Sequence, residues 1–587
     1  MPAKSPLPLS DLAIIVLYLL AMLGVGIWFA RRSSQGLAAY FLGDRKMSWW
    51  ALALSGSASN FDISGTLWLV SMVALLGMKS FWVFWSFAFL IAAVLMSWMA
   101  RWIRGTGVLT GVELLQVRFG VTQGAVLARL MSAVATLVIL VFMSGYAFAG
   151  GGKFLAVFFP WSAGQCATAA MLFTFCYAVV GGFRAVVVTD AVQAVLMGVA
   201  ALVIAGFAIF HTDVAAVHAA VNPSPMPVWH LDGLPEKYAD MAPFGLMILV
   251  WLTNGLLMGF GGAGGHYGEQ RFLAASSGRD AALAGLGWGV ILWFRWVLVA
   301  AVLVLAVSGF SHSGGDPEKV LPEVILAAMP AGLRGLVVAG FLAAFMASFS
   351  AMLNAGSAIF VRDVVQVLRP QTGERSLMVT GYVFIAFLVA SGIAIGLHAE
   401  RVNDLWTWIL LGPMAAMMVP NVLRWYWWRM SGSGYAAGVL AGMAVATVVF
   451  FYNRSAVVPW PKYGYAPVIH LAALVGSVIV SLAGKPVAME TLVDFYRKVR
   501  PFGWWGPVRA AAAVEAAPAG EGRSTLITVL ASHVGLLCLF LSPFYLIGRW
   551  WAWAATVLVI GTACALVLRE TWWKRLPQDS RSADALE

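Results

Sequence analysis

Charge is what this chain has least of: of its 587 residues only 11% are Asp, Glu, Lys or Arg. Soluble domains carry about a quarter charged residues. With 61% hydrophobic residues, most of this surface must face something other than water, and the chain reads as an all-α polytopic membrane protein. Strict polar–apolar alternation is also missing. Unbroken apolar runs such as Val199–Ala205 exclude a closed β-barrel, the other way to cross a bilayer. Cysteine is scarce. The four present (Cys166, Cys176, Cys538, Cys564) lie in apolar runs without metal-ligand spacing and read as small apolar side chains. No phosphate-binding P-loop, nucleophile elbow or metal-ligand cluster occurs, so nothing points to an enzyme. Residues 1–8 lack a basic region, and no small-residue cleavage site follows the first apolar run, which is read as a retained span.

What is present is length of apolar sequence. Fifteen stretches are close to the roughly 20 residues that cross about 30 Å of hydrocarbon: 9–29, 48–76, 80–100, 127–155, 163–183, 186–211, 241–263, 281–309, 335–361, 377–397, 403–423, 435–453, 465–483, 525–547 and 550–568. The net charge of +11 speaks to orientation in a lipid bilayer rather than to nucleic acid. Segments on one side of the expected membrane hold 26 Lys and Arg, those on the other hold 10, and Arg295 lies within a span. The positive-inside rule then puts the N-terminus outside a cell membrane and the C-terminus in the cytoplasm. Tryptophan and tyrosine gather at span ends, as in Trp425-Tyr426-Trp427-Trp428, in the manner of an interfacial belt.

Two spans are interrupted. Span two carries the small, polar run Ser55-Gly-Ser-Ala-Ser-Asn-Phe-Asp-Ile-Ser-Gly65, and span seven ends in Gly259-Phe-Gly-Gly-Ala-Gly-Gly-His-Tyr-Gly268. Glycine at this density weakens helix. Irregular backbone at membrane depth persists where it lines a polar cavity. The interruptions lie five spans apart, an odd number, so the two halves have opposite orientation. Paired broken helices are the sign of an inverted-repeat transporter with its site near the midplane. The expected organisation is a leading helix and loop (1–47), a first repeat of spans 2–6 (48–211), a second of spans 7–11 (212–430) and peripheral helices (431–587).

The stretch Tyr177-Ala-Val-Val-Gly-Gly-Phe-Arg-Ala-Val-Val-Val-Thr-Asp-Ala-Val-Gln193 joins two of these spans and resembles the signature of the sodium/solute symporter family, relatives of the sodium–glucose and sodium–proline symporters. That resemblance implies a five-plus-five inverted core, alternating access and sodium as the coupling ion. In the family, carbonyls of the broken first core helix and a carbonyl and hydroxyls of the eighth hold sodium. Here those positions correspond to Ala58 and Phe61, and to Ala344, Ala347 and Ser348. The family has two adjacent hydroxyls where this chain has Ala347-Ser348, so one ligand is lost. Asp62 is read two ways: as an extra sodium ligand facing no fixed cation, or as the cap of the half-helix that follows. Asp190 lies near a second cation position in the family; the other reading pairs it with Arg184 near the inner surface.

The solute site is expected between the two broken helices. Candidates are Asn60, Ser64 and Trp68 on span two, Trp85 and Ser86 on span three, and Asn254, His266 and Tyr267 on span seven. Tyr267 stands before Gln270-Arg271 at the family's spacing for an inner aromatic gate. Arg295 corresponds to an intramembrane Lys of the family that touches solute; it could also pair with Asp62 or Glu269, or snorkel. As a bidentate donor to carboxylates it favours an anionic or zwitterionic solute, whereas the family's frequency favours sugar. The expected function is therefore sodium-coupled symport of a small polar solute, sugar or amino/organic acid. The alternatives are the same fold without sodium coupling, as Ala347 suggests, or a transporter-fold sensor.

Overall fold

The computed structural model describes residues 7–30, 47–262, 266–311, 316–399, 402–455, 460–513 and 521–576, with side chains at 26, 27, 29, 30, 179–185, 237, 266, 267, 403, 454, 462 and 521 left out. Among them there is no strand, only two isolated bridges. The helices used below are α1 (Leu9–Ala30), α2 (Trp49–Asn60), α3 (Ile63–Leu76), α4 (Gln123–Leu155), α5 (Ala163–His211), α6 (Phe244–Gly261), α7 (His266–Leu273), α8 (Gly278–Ile291), α9 (Trp293–Leu305), α10 (Leu333–Ile359), α11 (Glu374–Leu397), α12 (Ala415–Tyr426), α13 (Gly432–Ser455), α14 (Tyr465–Ala483), α15 (Glu521–Ile547) and α16 (Trp551–Thr571).

The described parts of the fifteen expected spans are largely helical, but twelve helices among the described residues are long and apolar enough to cross a membrane, with Leu9–Val25 as a shorter apolar one. The difference has physical causes. Spans five and six run together as α5, 49 residues without a break in the helix. At about 1.5 Å per residue that is far more than one crossing of the bilayer. The second half of span two continues into span three as one run, Ile63–Gly105, through two π-helical turns at Trp85–Phe89 and Leu95–Met99.

Helix α10 is the centre of the molecule. All but a few of its side chains are buried, and it packs against α1, α2, α4, α5 and α11. Its small residues permit this: Gly340 lies against Ala200 of α5, and Gly356 against Leu140 and Leu388. Such close approach replaces hydrophobic collapse as the source of helix association in lipid. The same logic holds α13 to α14, where Gly434 and Gly438 face Ser481 and Ser477. Outward-facing apolar residues such as Leu17, Val383, Phe387 and Val559 are exposed, as a lipid-facing surface requires.

Candidate functional site

The interruption in span two is a true break. Helix α2 ends where Phe61 leaves helical geometry (φ −90°, ψ 45°), its N–H shared between the carbonyls of Ser57 (3.0 Å) and Ala58 (3.1 Å). Asp62 is extended (φ −70°, ψ 154°) and caps α3, its Oδ2 accepting the Gly65 N–H at 2.7 Å. Capping satisfies one of the four donors that a helix start leaves open. A Cβ at Gly65 would run into both Asp62 and Arg295, so glycine is required there by space.

Arg295 of α9 binds both sides of the break. Its Nε donates to Thr66 Oγ1 (3.0 Å), Nη1 to the Asn60 carbonyl (2.5 Å), and Nη2 pairs with Asp62 Oδ1 (3.2 Å). This corrects the expectation that Asp62 faces no fixed cation. Both Asp62 oxygens are engaged, Oδ1 by Arg295 and Oδ2 by the Gly65 N–H, so a sodium ion on this carboxylate would have to displace one of these donors. Of the readings open for Arg295, pairing with Asp62 is the one realised. Glu269 is held instead by Arg424 at 3.1 Å, both side chains buried.

Beside the break lies a cavity of about 230 Å³. Asn60, Asp62 and Arg295 line one part of it, and Ser348 and Phe349 of α10 another. Its walls are aromatic. Trp68 stacks on Trp251 (5.6 Å, 23°) and lies 6.2 Å from Trp406, which is 5.6 Å from Tyr146. The indole N–H groups of Trp251 and Trp406 are buried and have no partner among the described residues. Of the solute residues read from the sequence, the cavity thus gathers Asn60, Trp68 and Arg295. Three others are turned to structural uses. Ser64 donates to the Tyr146 carbonyl (2.9 Å), Ser86 to the Val83 carbonyl (3.0 Å), and Trp85 packs on His533 (4.5 Å). Asn254 is fully buried on α6 with neither amide atom paired, and it is not among the cavity's lining. The side chains of His266 and Tyr267 lie outside the described residues.

Sequence reasoning missed Trp251, Trp406 and Tyr146. Trp251 stands one helical turn before Asn254, which signals a shared face. Trp406 lies in a helical run loosened by Pro413, a weaker signal.

The residues matched to sodium ligands divide into two groups. Ala344 and Ala347 are fully buried on α10, and Ser348 donates to the Phe345 carbonyl at 3.0 Å. Ala58 and Phe61 lie at the end of α2, which packs against α10 and α5; both border a small space beside Ala194 and Met197 of α5. Asp190, on α5, is fully buried. Ser55 Oγ donates to its Oδ2 at 2.6 Å, and Arg271 Nη2 approaches the same oxygen at 3.4 Å. Arg271 also donates to Ser55 and Ser59. Among the described residues its charge partner is Arg271; the side chain of Arg184 lies outside them. Asp190 Oδ1 has no partner, nor has Gln193 Oε1 one turn further along α5. Gln193 Nε2 donates to the Tyr18 hydroxyl (3.0 Å), and the Tyr177 hydroxyl donates to the Met346 carbonyl (3.1 Å). Buried acceptors without donors suit a hard cation, which takes oxygen ligands.

A broken helix, an aromatic-walled cavity at the break and buried spare oxygens define a secondary transporter of the broken-helix class. The chain belongs to the sodium:solute symporter family, matching it over residues 40–442. It is 26% identical to sodium/glucose cotransporter 4 of Danio rerio over 89% of this chain and 86% of the relative. It is 25% identical to sodium/glucose cotransporter 1 of Oryctolagus cuniculus (81% and 79%) and 25% identical to the sodium/mannose cotransporter of Bos taurus (75% and 78%). The fold is similar to that of a substrate-bound, outward-open Na⁺-coupled sialic acid symporter, with a TM-score of 0.63 at 18% identity over 82% of this chain and 99% of that one. The protein is a multi-pass membrane transporter that couples movement of a small polar solute to sodium.

Proposed function

We propose that the solute is neutral and polyhydroxylated, a hexose or related polyol, carried inward with sodium. The observation that carries this is the pairing of Arg295 with Asp62 at 3.2 Å on the cavity's wall. The pair cancels its own charge. An anionic solute would have to displace Asp62 from Arg295, losing a charge-assisted bond to gain one. A hydroxylated solute needs no such exchange, because a hydroxyl can donate to Asp62 and accept from Arg295 or the Trp251 and Trp406 N–H groups. The tryptophan faces supply apolar contact for ring C–H groups. Relatives named for glucose, myo-inositol and mannose agree with this chemistry.

Sodium has two candidate positions. One uses the Ala58, Phe61 and Ala344 carbonyls with the Ser348 hydroxyl. The other uses Asp190 Oδ1 with Gln193, where a full negative charge shared with Arg271 has an open oxygen. Coupling follows if sodium binds one state of the cycle more tightly than the other. Helices α2–α5 and α6–α12 are then the two inverted repeats, with α1 leading and α13–α16 peripheral. Helix α2 ends at Phe61 and α6 ends before Gly262 (φ 95°); in this reading the two ends would occupy corresponding positions of the repeats. No covalent step is required.

The test is uptake into proteoliposomes. An inward sodium gradient should drive accumulation of labelled glucose, mannose or myo-inositol, and replacing sodium with choline should abolish it. Sodium-driven uptake of carboxylates with no response to any of the three polyols would overturn the neutral-solute proposal; uptake indifferent to sodium would overturn both sodium positions.

A further inference from the structure

A second cavity, of about 80 Å³, lies where residues 97–101 meet the start of α15 and the end of α16. Its lining is basic and hydroxylic: Ser97, Arg101, Ser524, Thr528, Thr571 and Arg575. The site is built rather than left over. The Trp572 indole donates to the Met96 carbonyl at 2.9 Å, and Trp572 and Leu576 bury against Met96, Ala282 and Leu283. Thr528 Oγ1 donates to the Ser524 carbonyl (2.9 Å) and reaches Thr571 Oγ1 (3.0 Å), while Ser524 Oγ donates to the Thr571 carbonyl (3.3 Å). These bonds fix the wall. Ser97, Ser524 and Thr528 are all buried.

Onto this wall two guanidinium groups converge from different parts of the chain. Arg101 is half-buried and donates through Nη2 to the Ser97 carbonyl at 2.9 Å. Arg575 is exposed and comes from the far end of the chain. The first turn of α15 adds the positive end of a helix of 27 residues. Glu570, a nearby acid, is already paired with Lys574 at 2.7 Å. Trp573 and Arg279 sit alongside, the guanidinium 5.9 Å from the ring centroid. The hydroxyls already donate to main-chain carbonyls and shape the wall, so the two guanidinium groups and the helix start are the donors that phosphate takes. A rim of tryptophan and basic residues marks the headgroup level of a bilayer.

We propose that this cavity binds a phosphate group, that of an anionic phospholipid such as phosphatidylglycerol, and so clamps the peripheral helices α15 and α16 to the core. The site is independent of the solute and sodium positions. The full-length protein is placed in phosphatidylcholine nanodiscs, and thermal unfolding is followed with phosphatidylglycerol added to the disc or, separately, with inorganic phosphate added to the buffer. Phosphatidylglycerol should raise the unfolding midpoint, and Arg575→Gln should lower the apparent lipid affinity about tenfold. Because Arg575 is exposed, that variant keeps its fold even if Arg101→Gln does not. A rise with inorganic phosphate alone, again lost in Arg575→Gln, supports the phosphate site and identifies a soluble source. No response to either probe, or a response that Arg575→Gln leaves unchanged, overturns the proposal.

Discussion

At the scale of single residues, the Asp62–Arg295 pair makes the sharpest demands. Both side chains are mostly buried, 23% and 12% exposed, and each is the other's charge partner. Removing one partner of a buried pair leaves an uncompensated charge, which costs about 3–5 kcal/mol. Asp62→Asn should therefore destabilise strongly, seen as a fall in the unfolding midpoint, and Asp62→Asn/Arg295→Gln should recover much of the loss because no charge remains. The single variant also turns the cavity net positive. Its preference should shift from glucose toward glucuronate, measured as the ratio of inhibition constants in competition uptake. A shift the other way would mean that Arg295 does not face the solute. Asp190 tests the ion instead. Asp190→Asn keeps the hydrogen bond from Ser55 but removes the charge. The sodium concentration for half-maximal uptake should rise about tenfold or more, equivalent to about 1.4 kcal/mol, while an unchanged sodium response would remove this position from the coupling site.

At the scale of elements, α10 bears the departure that the resemblance implies. Ala347-Ser348 stands where paired hydroxyls would be expected, and Ser350, two residues on, bonds to the Ala347 carbonyl at 3.3 Å. Ala347→Ser restores one oxygen at a fully buried position and should tighten sodium activation or leave it unchanged. A loss of sodium response with the protein still folded would show that this face of α10 is packing surface rather than ligand. The broken α2–α3 was legible in the sequence because a polar, small-residue run is costly inside an apolar span unless it lines a cavity. Asp190 was legible for the same reason, as a carboxylate deep in apolar sequence. The partners were not. Arg295 meets Asp62, and Arg271 meets Asp190, across 233 and 81 positions of chain, and neither spacing nor periodicity records which helix comes alongside which. The tryptophans were ambiguous for a related reason. Trp68 lines the cavity and Trp85 packs on His533, yet both are aromatic residues in apolar helices. Fifteen apolar stretches fall on twelve long helical runs because some helices run on without a break, as α5 does; hydropathy measures apolar length and not where a helix turns.

At the scale of the whole molecule, the charge distribution and the inverted core must agree on one orientation. With fifteen crossings, segments on one side would hold 26 basic residues against 10 on the other, and basic residues remain on the cytoplasmic side during insertion. The buried ion pairs fit the same frame. Arg271–Asp190 and Arg424–Glu269 both lie at the α7 end of the second break, within the stretch whose Arg271 and Arg279 fall on the basic side. The expectation is an N-terminus outside and a C-terminus in the cytoplasm. Alkaline phosphatase fused before Leu9 should be active, green fluorescent protein fused after Trp573 should fluoresce, and the exchanged fusions should be silent. Both ends reporting from one side would show that the number of crossings is even, and with it that the five-plus-five arrangement, one leading helix and four trailing crossings cannot all be present.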